Sequence, residues 1–170
     1  MSGTLANIEA CMPALRRYAF FLLRGQQDAD DLVHDTLVRA LDKLHTQRFG
    51  TDIRPWLFSI LHNLFISHRR KEKLRPQAGY PDEIAAELAV EGGQEDSLRW
   101  RDLIRALNLL PVEQRSILLL VAVENLSYAE VASILAIPIG TVMSRLARGR
   151  ERLRELTFGD AANPSLRRVK

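Results

Sequence analysis

The residues best suited to chemistry in this sequence lie between Ser127 and Arg154, where Arg145, Arg148, Arg150, Arg152 and Arg154 crowd one stretch beside Met143, Ser144 and Ala147. Ser and Arg can bond base edges or phosphates, and further arginines suit contacts to a nucleic-acid backbone. A second basic cluster, His68-Arg69-Arg70-Lys71, closes the first half. A third group, Asp30, Asp31, His34 and Asp35, contains the dipeptide of HD-type metal phosphohydrolases. Such a site needs His and Asp converging from several helices. Consecutive residues of one helix point in different directions, so these side chains read as the solvated or partner-facing side of a helix. No glycine-rich phosphate loop, GxSxG elbow or HExxH occurs. Cys11 is the single cysteine, which rules out an internal disulfide framework and a Cys-based zinc site. It reads as a small buried apolar residue of a reduced protein.

The elements that must position these groups are helical. Periodicity predicts a short helix over Tyr128–Leu135, capped by Ser127 with Glu130 at capping-box spacing. A turn at Ile137-Pro138 comes next, then a longer helix from about Gly140 to Leu156. Ala132 is small where two helices would cross closely, and Ala136 starts the turn. On the longer helix Val142, Leu146, Gly149 and Leu153 recur at steps of 4, 3 and 4, so they face a core. Met143, Ser144, Ala147 and Arg148 are left outward, flanked by the other arginines. Gly149 costs roughly 1 kcal/mol against Ala in a helix, which suggests that its missing side chain permits close packing. This spacing fits a helix-turn-helix, whose second helix enters the DNA major groove.

Upstream, Leu98, Leu103, Leu107 and Leu110 predict a helix over about 97–109, and Pro111 starts another through Ile117, Leu118, Val121 and Ala122. The first half predicts three helices. One spans about 5–23, with Leu5, Ile8, Met12, Leu15, Ala19 and Leu22 on one face. A second is capped by Asp28 or Asp30 and carries the stripe Leu32, Val33, Leu37, Ala40, Leu41 and Leu44. A third begins near Asp52, with Pro55 in its first turn, and runs through Trp56, Leu57, Ile60, Leu61, Leu64 and Phe65. Trp56 and Trp100 read as core anchors. No stretch alternates with a period of two, so the fold class is all-α.

Charge divides the chain. Residues 15–75 carry 12 basic and 7 acidic groups, and 98–157 carry nine Arg against six acids. Residues 76–97 hold six acids and no Lys or Arg, with Pro76, Gly79, Pro81 and Gly92-Gly93, the composition of a flexible linker. Two basic halves around an acidic segment suit two nucleic-acid contacts joined by a tether. The start, MSGTLANIEA, lacks the pattern of a signal peptide. The longest apolar run, Ile117 to Val123, falls far short of the roughly 20 residues a bilayer span needs. A cytoplasmic protein with no membrane insertion is expected.

With these motifs in place, the chain resembles a known family. The run LSYAEVASILAIPIGTVMSRLARGRERLREL, preceded by LNLLPVEQRSILLLVAVEN, resembles region 4 of extracytoplasmic-function sigma factors. LRRYAFFLL, DADDLVHDTLVRAL and DIRPWLFSILHNLFISHRRK resemble region 2 of the same family. The resemblance covers about residues 8–156 and leaves the linker unaligned. It implies two small helical domains, region 2 over 5–75 and region 4 over 98–157, with the linker 76–97 between them and a basic tail 158–170. It implies docking on the β′ clamp of RNA polymerase core through Asp31, Leu32, His34, Asp35 and Arg39, and a second contact with the β flap. The family usually has Gln where His34 stands.

The resemblance further implies −10 promoter recognition and melting by Trp56, Asn63, His68, Arg69, Arg70 and Lys71, with Asn63 beside a flipped-out base. An amide offers donors and acceptors to such a base, and the cations hold phosphates. It assigns the −35 element to Thr141, Met143, Ser144, Arg145, Ala147, Arg148 and Arg152. Met143 replaces the usual Lys or Arg and Gly149 the usual Ala, so a relative's −35 preference does not transfer. The linker takes the position of the segment that threads the RNA-exit path, where its charge either imitates nucleic acid or serves as a solubilising tether. A non-enzymatic factor is expected, with no cofactor and no small-molecule substrate, and an anti-sigma factor as a partner. The rivals are a helix-turn-helix regulator that binds duplex DNA alone and an HD-type hydrolase.

Overall fold

The computed structural model of the chain describes residues 2–23, 25–46, 52–72 and 94–158, and within these all regular structure is helical. The linker 76–97 lies outside them as far as 93, and the tail outside them after Phe158. Among the described residues seven α-helices run in order: α1 Ser2–Leu23, α2 Gln26–Asp42, α3 Ile53–Glu72, α4 Gln94–Leu109, α5 Val112–Leu118, α6 Tyr128–Leu135 and α7 Ile139–Phe158. Helix α4 begins at Gln94, so its first four residues fall within the stretch expected as linker.

Helix α1 runs longer than its periodicity suggested and contains Pro13. Pro13 lies on the exposed side, where water can take the carbonyl that its missing N–H leaves free. Helix α2 starts at Gln26 behind Gly25, so neither Asp28 nor Asp30 is its cap. Asp28 sits instead in the first turn, favourably placed at the positive end of the helix dipole. Asp30 pairs with Arg16 at 3.3 Å. Ala29, Leu32, Val33, Thr36 and Ala40 form the buried face of α2, and Thr36 satisfies its hydroxyl on the Leu32 carbonyl at 2.7 Å. Leu41, expected in that stripe, is 51% exposed, since it lies about 120° round the helix from Ala29. Helix α3 is capped by Asp52, whose Oδ1 accepts from the Arg54 amide at 2.9 Å.

In the second half α5 passes into a π-helical turn over Leu119–Val123, so the expected single helix after Pro111 changes pitch. The Glu124 amide reaches back five residues to the Leu119 carbonyl, and Asn125 comes next with φ 53°. The capping box forms: the Glu130 amide donates to the Ser127 hydroxyl and the Ser127 amide to the Glu130 carboxylate. Ala136 closes α6 in the left-handed region at φ 52° and accounts for the sharp turn into α7.

The two halves do not lie apart. Helix α3 packs against α6, and α1 against α5 and the π turn, so one continuous core joins Leu15, Leu57 and Phe65 to Leu107, Leu120 and Val131. The two halves that the charge pattern distinguished therefore pack against each other. Cys11 is buried in this core, and burial pushes its thiol pKa up. Trp56 and Trp100 pack against it, Trp100 edge-on to Phe21 at 6.5 Å.

Candidate nucleic-acid interface

Helix α7 is anchored by Val142, Leu146 and Gly149, all buried, and by half-buried Leu153. A Cβ at Gly149 would stand 3.1 Å from Leu118 Cδ1 and 3.3 Å from Gln114 Cβ, so its missing side chain lets α7 lie close on α5. The opposite face exposes Met143 (52%), Ser144, Ala147 and Arg148, as its periodicity demands. Thr141, half-buried, accepts the Ser144 hydroxyl through its carbonyl at 3.2 Å. Arg148 Nε donates to the Ser144 carbonyl at 3.3 Å. Arg152 and Arg154 pair with Glu155 and Glu151 at 3.1 and 2.7 Å. Such exposed pairs are weak and exchange readily for phosphate. Arg145 is turned away from this face and lines a cavity between the halves.

On α2 the side chains of Asp31, His34, Asp35 and Arg39 are exposed together. Leu32, placed in the same group by its position, is 1% exposed and therefore holds the helix to the core instead of meeting a partner. Val38 and Leu41 stand exposed near them, apolar contacts that the stripe pattern had assigned inward or ignored. Asp35 approaches His68 of α3 at 3.9 Å.

On α3, Asn63, Arg70 and Lys71 are exposed, while Trp56, His68 and Arg69 are half-buried. The Arg69 guanidinium lies 5.9 Å from the centre of the Phe65 ring. His62 sits beside Asn63 on the inner side, its Nδ1 3.1 Å from the Tyr18 hydroxyl. Burial lowers its pKa to about 4, so the imidazole is neutral. His62, Arg69 and Arg70 share a cavity of about 300 Å³ with Leu135, Ile137 and Arg145 from the second half. Cations expected to read two different promoter elements thus meet in one cleft.

Two buried charges escaped the sequence reading. Arg115 is buried and donates to the carbonyls of Leu22, near the end of α1, and Asn108, near the end of α4. Glu124 is 1% exposed and is held by the first half. Arg17 Nε and Nη2 grip its two oxygens at 2.8 Å each, and Arg54 Nη2 adds a third bond at 3.0 Å. The bond to Glu124 is the main cause raising the pKa of Arg17. The one sequence signal was a lone carboxylate directly behind the apolar run Ile117–Val123. Among the described residues no single helix is long and apolar enough to cross a membrane.

The two halves match two family models, "Sigma2 domain of PhyR" over residues 8–62 and "Sigma-70, region 4" over 100–153. The ECF RNA polymerase sigma factor EcfG of Rhodopseudomonas palustris is 37% identical over 92% of this chain and 86% of its own. RNA polymerase sigma factor SigV of Bacillus subtilis is 32% identical over 85% of each. In three dimensions the chain superposes on the sigma factor RpoE of Bartonella quintana, solved in complex with the anti-sigma factor NepR. The TM-score is 0.79 at 33% identity, over 94% of this chain and 99% of that one. With both halves matched in order and relatives aligned over nearly their whole length, the chain belongs to the extracytoplasmic-function family of RNA polymerase sigma factors.

Proposed function

We propose that this sigma factor docks on RNA polymerase core through the exposed face of α2, with Asp31, His34, Asp35 and Arg39 on the β′ clamp, and that its second half meets the β flap. Region 2 takes residues 5–75 and region 4 residues 98–157, adjusted to begin with α4 at Gln94. Asn63, Arg69, Arg70 and Lys71 engage the melted −10 strand, Asn63 bonding an extruded base and the cations its phosphates. Met143, Ser144, Ala147 and Arg148 face the −35 duplex, with Thr141 and Arg152 at the margins. The observation that carries this reading is the outward face of α7: four exposed side chains on a helix that lies close on α5 at Gly149. The chain is non-enzymatic and needs no cofactor; the polymerase does the chemistry. By likeness to the RpoE complex, an anti-sigma factor of the NepR kind is its regulator.

Run-off transcription with purified core polymerase on pooled genomic fragments, with and without the protein, tests this. Discrete transcripts that depend on the protein, and that fade in Asn63→Ala and Arg148→Ala, are expected. Specific duplex binding by the protein alone, with no initiation from native-host core, would overturn it in favour of a stand-alone regulator.

A further inference from the structure

We infer that Arg17, Glu124 and Arg54 form an ionic latch that holds this sigma factor closed and that must release before a promoter is read. The inference rests on the reading of α3 and α7 as promoter-reading helices. The −10 and −35 elements, by their names, are centred about 25 base pairs apart, roughly 85 Å along B-form DNA at about 3.4 Å per pair. In the closed chain Arg69 and Arg70 line the same 300 Å³ cavity as Arg145. One chain in this arrangement cannot span both elements, so the halves separate on the promoter.

What must give way is specific. Glu124 is the buried acid of the second half that side chains of the first half hold, with both carboxylate oxygens bound across 107 and 70 residues of sequence. The backbone around it is built for that placement. The π turn Leu119–Val123 inserts a residue relative to an α-helix and redirects the chain beyond it, and Asn125 takes a left-handed conformation directly after. The exposure of its partners makes the latch reversible. Arg17 and Arg54 are 44% and 32% exposed, so both can rehydrate on opening, and the freed carboxylate emerges with them. Removing the Glu124 charge alone leaves Arg17 and Arg54, both of the first half, without their carboxylate at the closed interface, which favours the open state.

The test is intramolecular energy transfer in the full chain carrying Cys11→Ala, Asp42→Cys and Glu151→Cys, with dyes on the two exposed helices α2 and α7. The wild-type latch should give a short-distance population. Glu124→Gln, which keeps size and shape, and the double variant Arg17→Gln/Arg54→Gln should each raise the open-to-closed ratio about tenfold or more. Unlabelled forms of both should give more run-off transcript at limiting core. Unchanged distances in the variants, with native helical content by circular dichroism, would overturn the latch. Should Glu124→Gln lose helicity, the double variant decides alone, because its altered side chains lie at the surface of the first half. Opening without any wild-type transcript would leave the latch standing and remove the promoter reading; transcript with unchanged distances would do the reverse.

Discussion

Gly149 decides how near α7 can lie to α5. Its periodicity announced a core position, but only the 3.1 Å approach to Leu118 Cδ1 shows that a side chain there must displace a neighbour. Gly149→Val should therefore destabilise the protein by about 2 kcal/mol in chemical denaturation, through overpacking of Leu118 and Gln114. Gly149→Ala should come out near neutral, since roughly 1 kcal/mol of helix preference opposes the crowding. His62 supplies a pH dependence. Folded, it resists protonation until pH falls to about 4, because burial disfavours the charged ring, whereas an unfolded chain takes up the proton near its usual 6.5. Between these values the unfolded state binds more protons, so stability is full above about 6.5 and drains as pH falls towards 4, by up to roughly 3 kcal/mol. Thermal denaturation of wild type and His62→Asn across that window should show the wild type losing more stability on acidification, with parallel curves above pH 7. The sequence suggested close packing at Gly149, but which neighbours a side chain there would crowd, and the burial of His62, are properties of packing between elements far apart in the chain.

The helices themselves were legible because each buries one apolar face, and that face repeats every three or four residues whatever the tertiary context. The stops were legible where a side chain writes them, as at Asp52 and in the Ser127–Glu130 box. Ser127→Ala should cost about 1 kcal/mol of stability and fray the start of α6, the helix packed against α7. Binding to −35 duplex should then fall while affinity for core polymerase through α2 stays as it was, a contrast that fluorescence anisotropy against each partner can read. Where no side chain marks the boundary, reading failed. Helix α2 begins at Gln26 behind a glycine with no side-chain capping bond, two residues before the first aspartate. The π turn lies within an uninterrupted apolar run, which looks the same at either pitch. The candidate site obeyed the same division. Outward residues of α7 could be named from period alone, whereas Arg145, adjacent in sequence, turns into the cleft, and Leu32 turns into the core.

At the scale of the molecule, composition pointed to two basic bodies on an acidic string, yet the folded chain shares one core across α1, α3, α5 and α6. Charge could not foretell this, because the shared core is apolar, and single buried charges such as Glu124 and Arg115 vanish in a regional sum. The distinction has a thermodynamic consequence. Two tethered domains melt independently, whereas halves that bury each other's side chains lose their shared contacts together. Differential scanning calorimetry of the wild-type chain should therefore give one transition whose calorimetric enthalpy equals its van't Hoff enthalpy. In Glu124→Gln the coupling between halves weakens, and the calorimetric enthalpy should exceed the van't Hoff value as the transition broadens or splits. A wild-type profile already resolved into two transitions would mean that the closed core contributes too little to bind the halves, and that their separation needs no trigger.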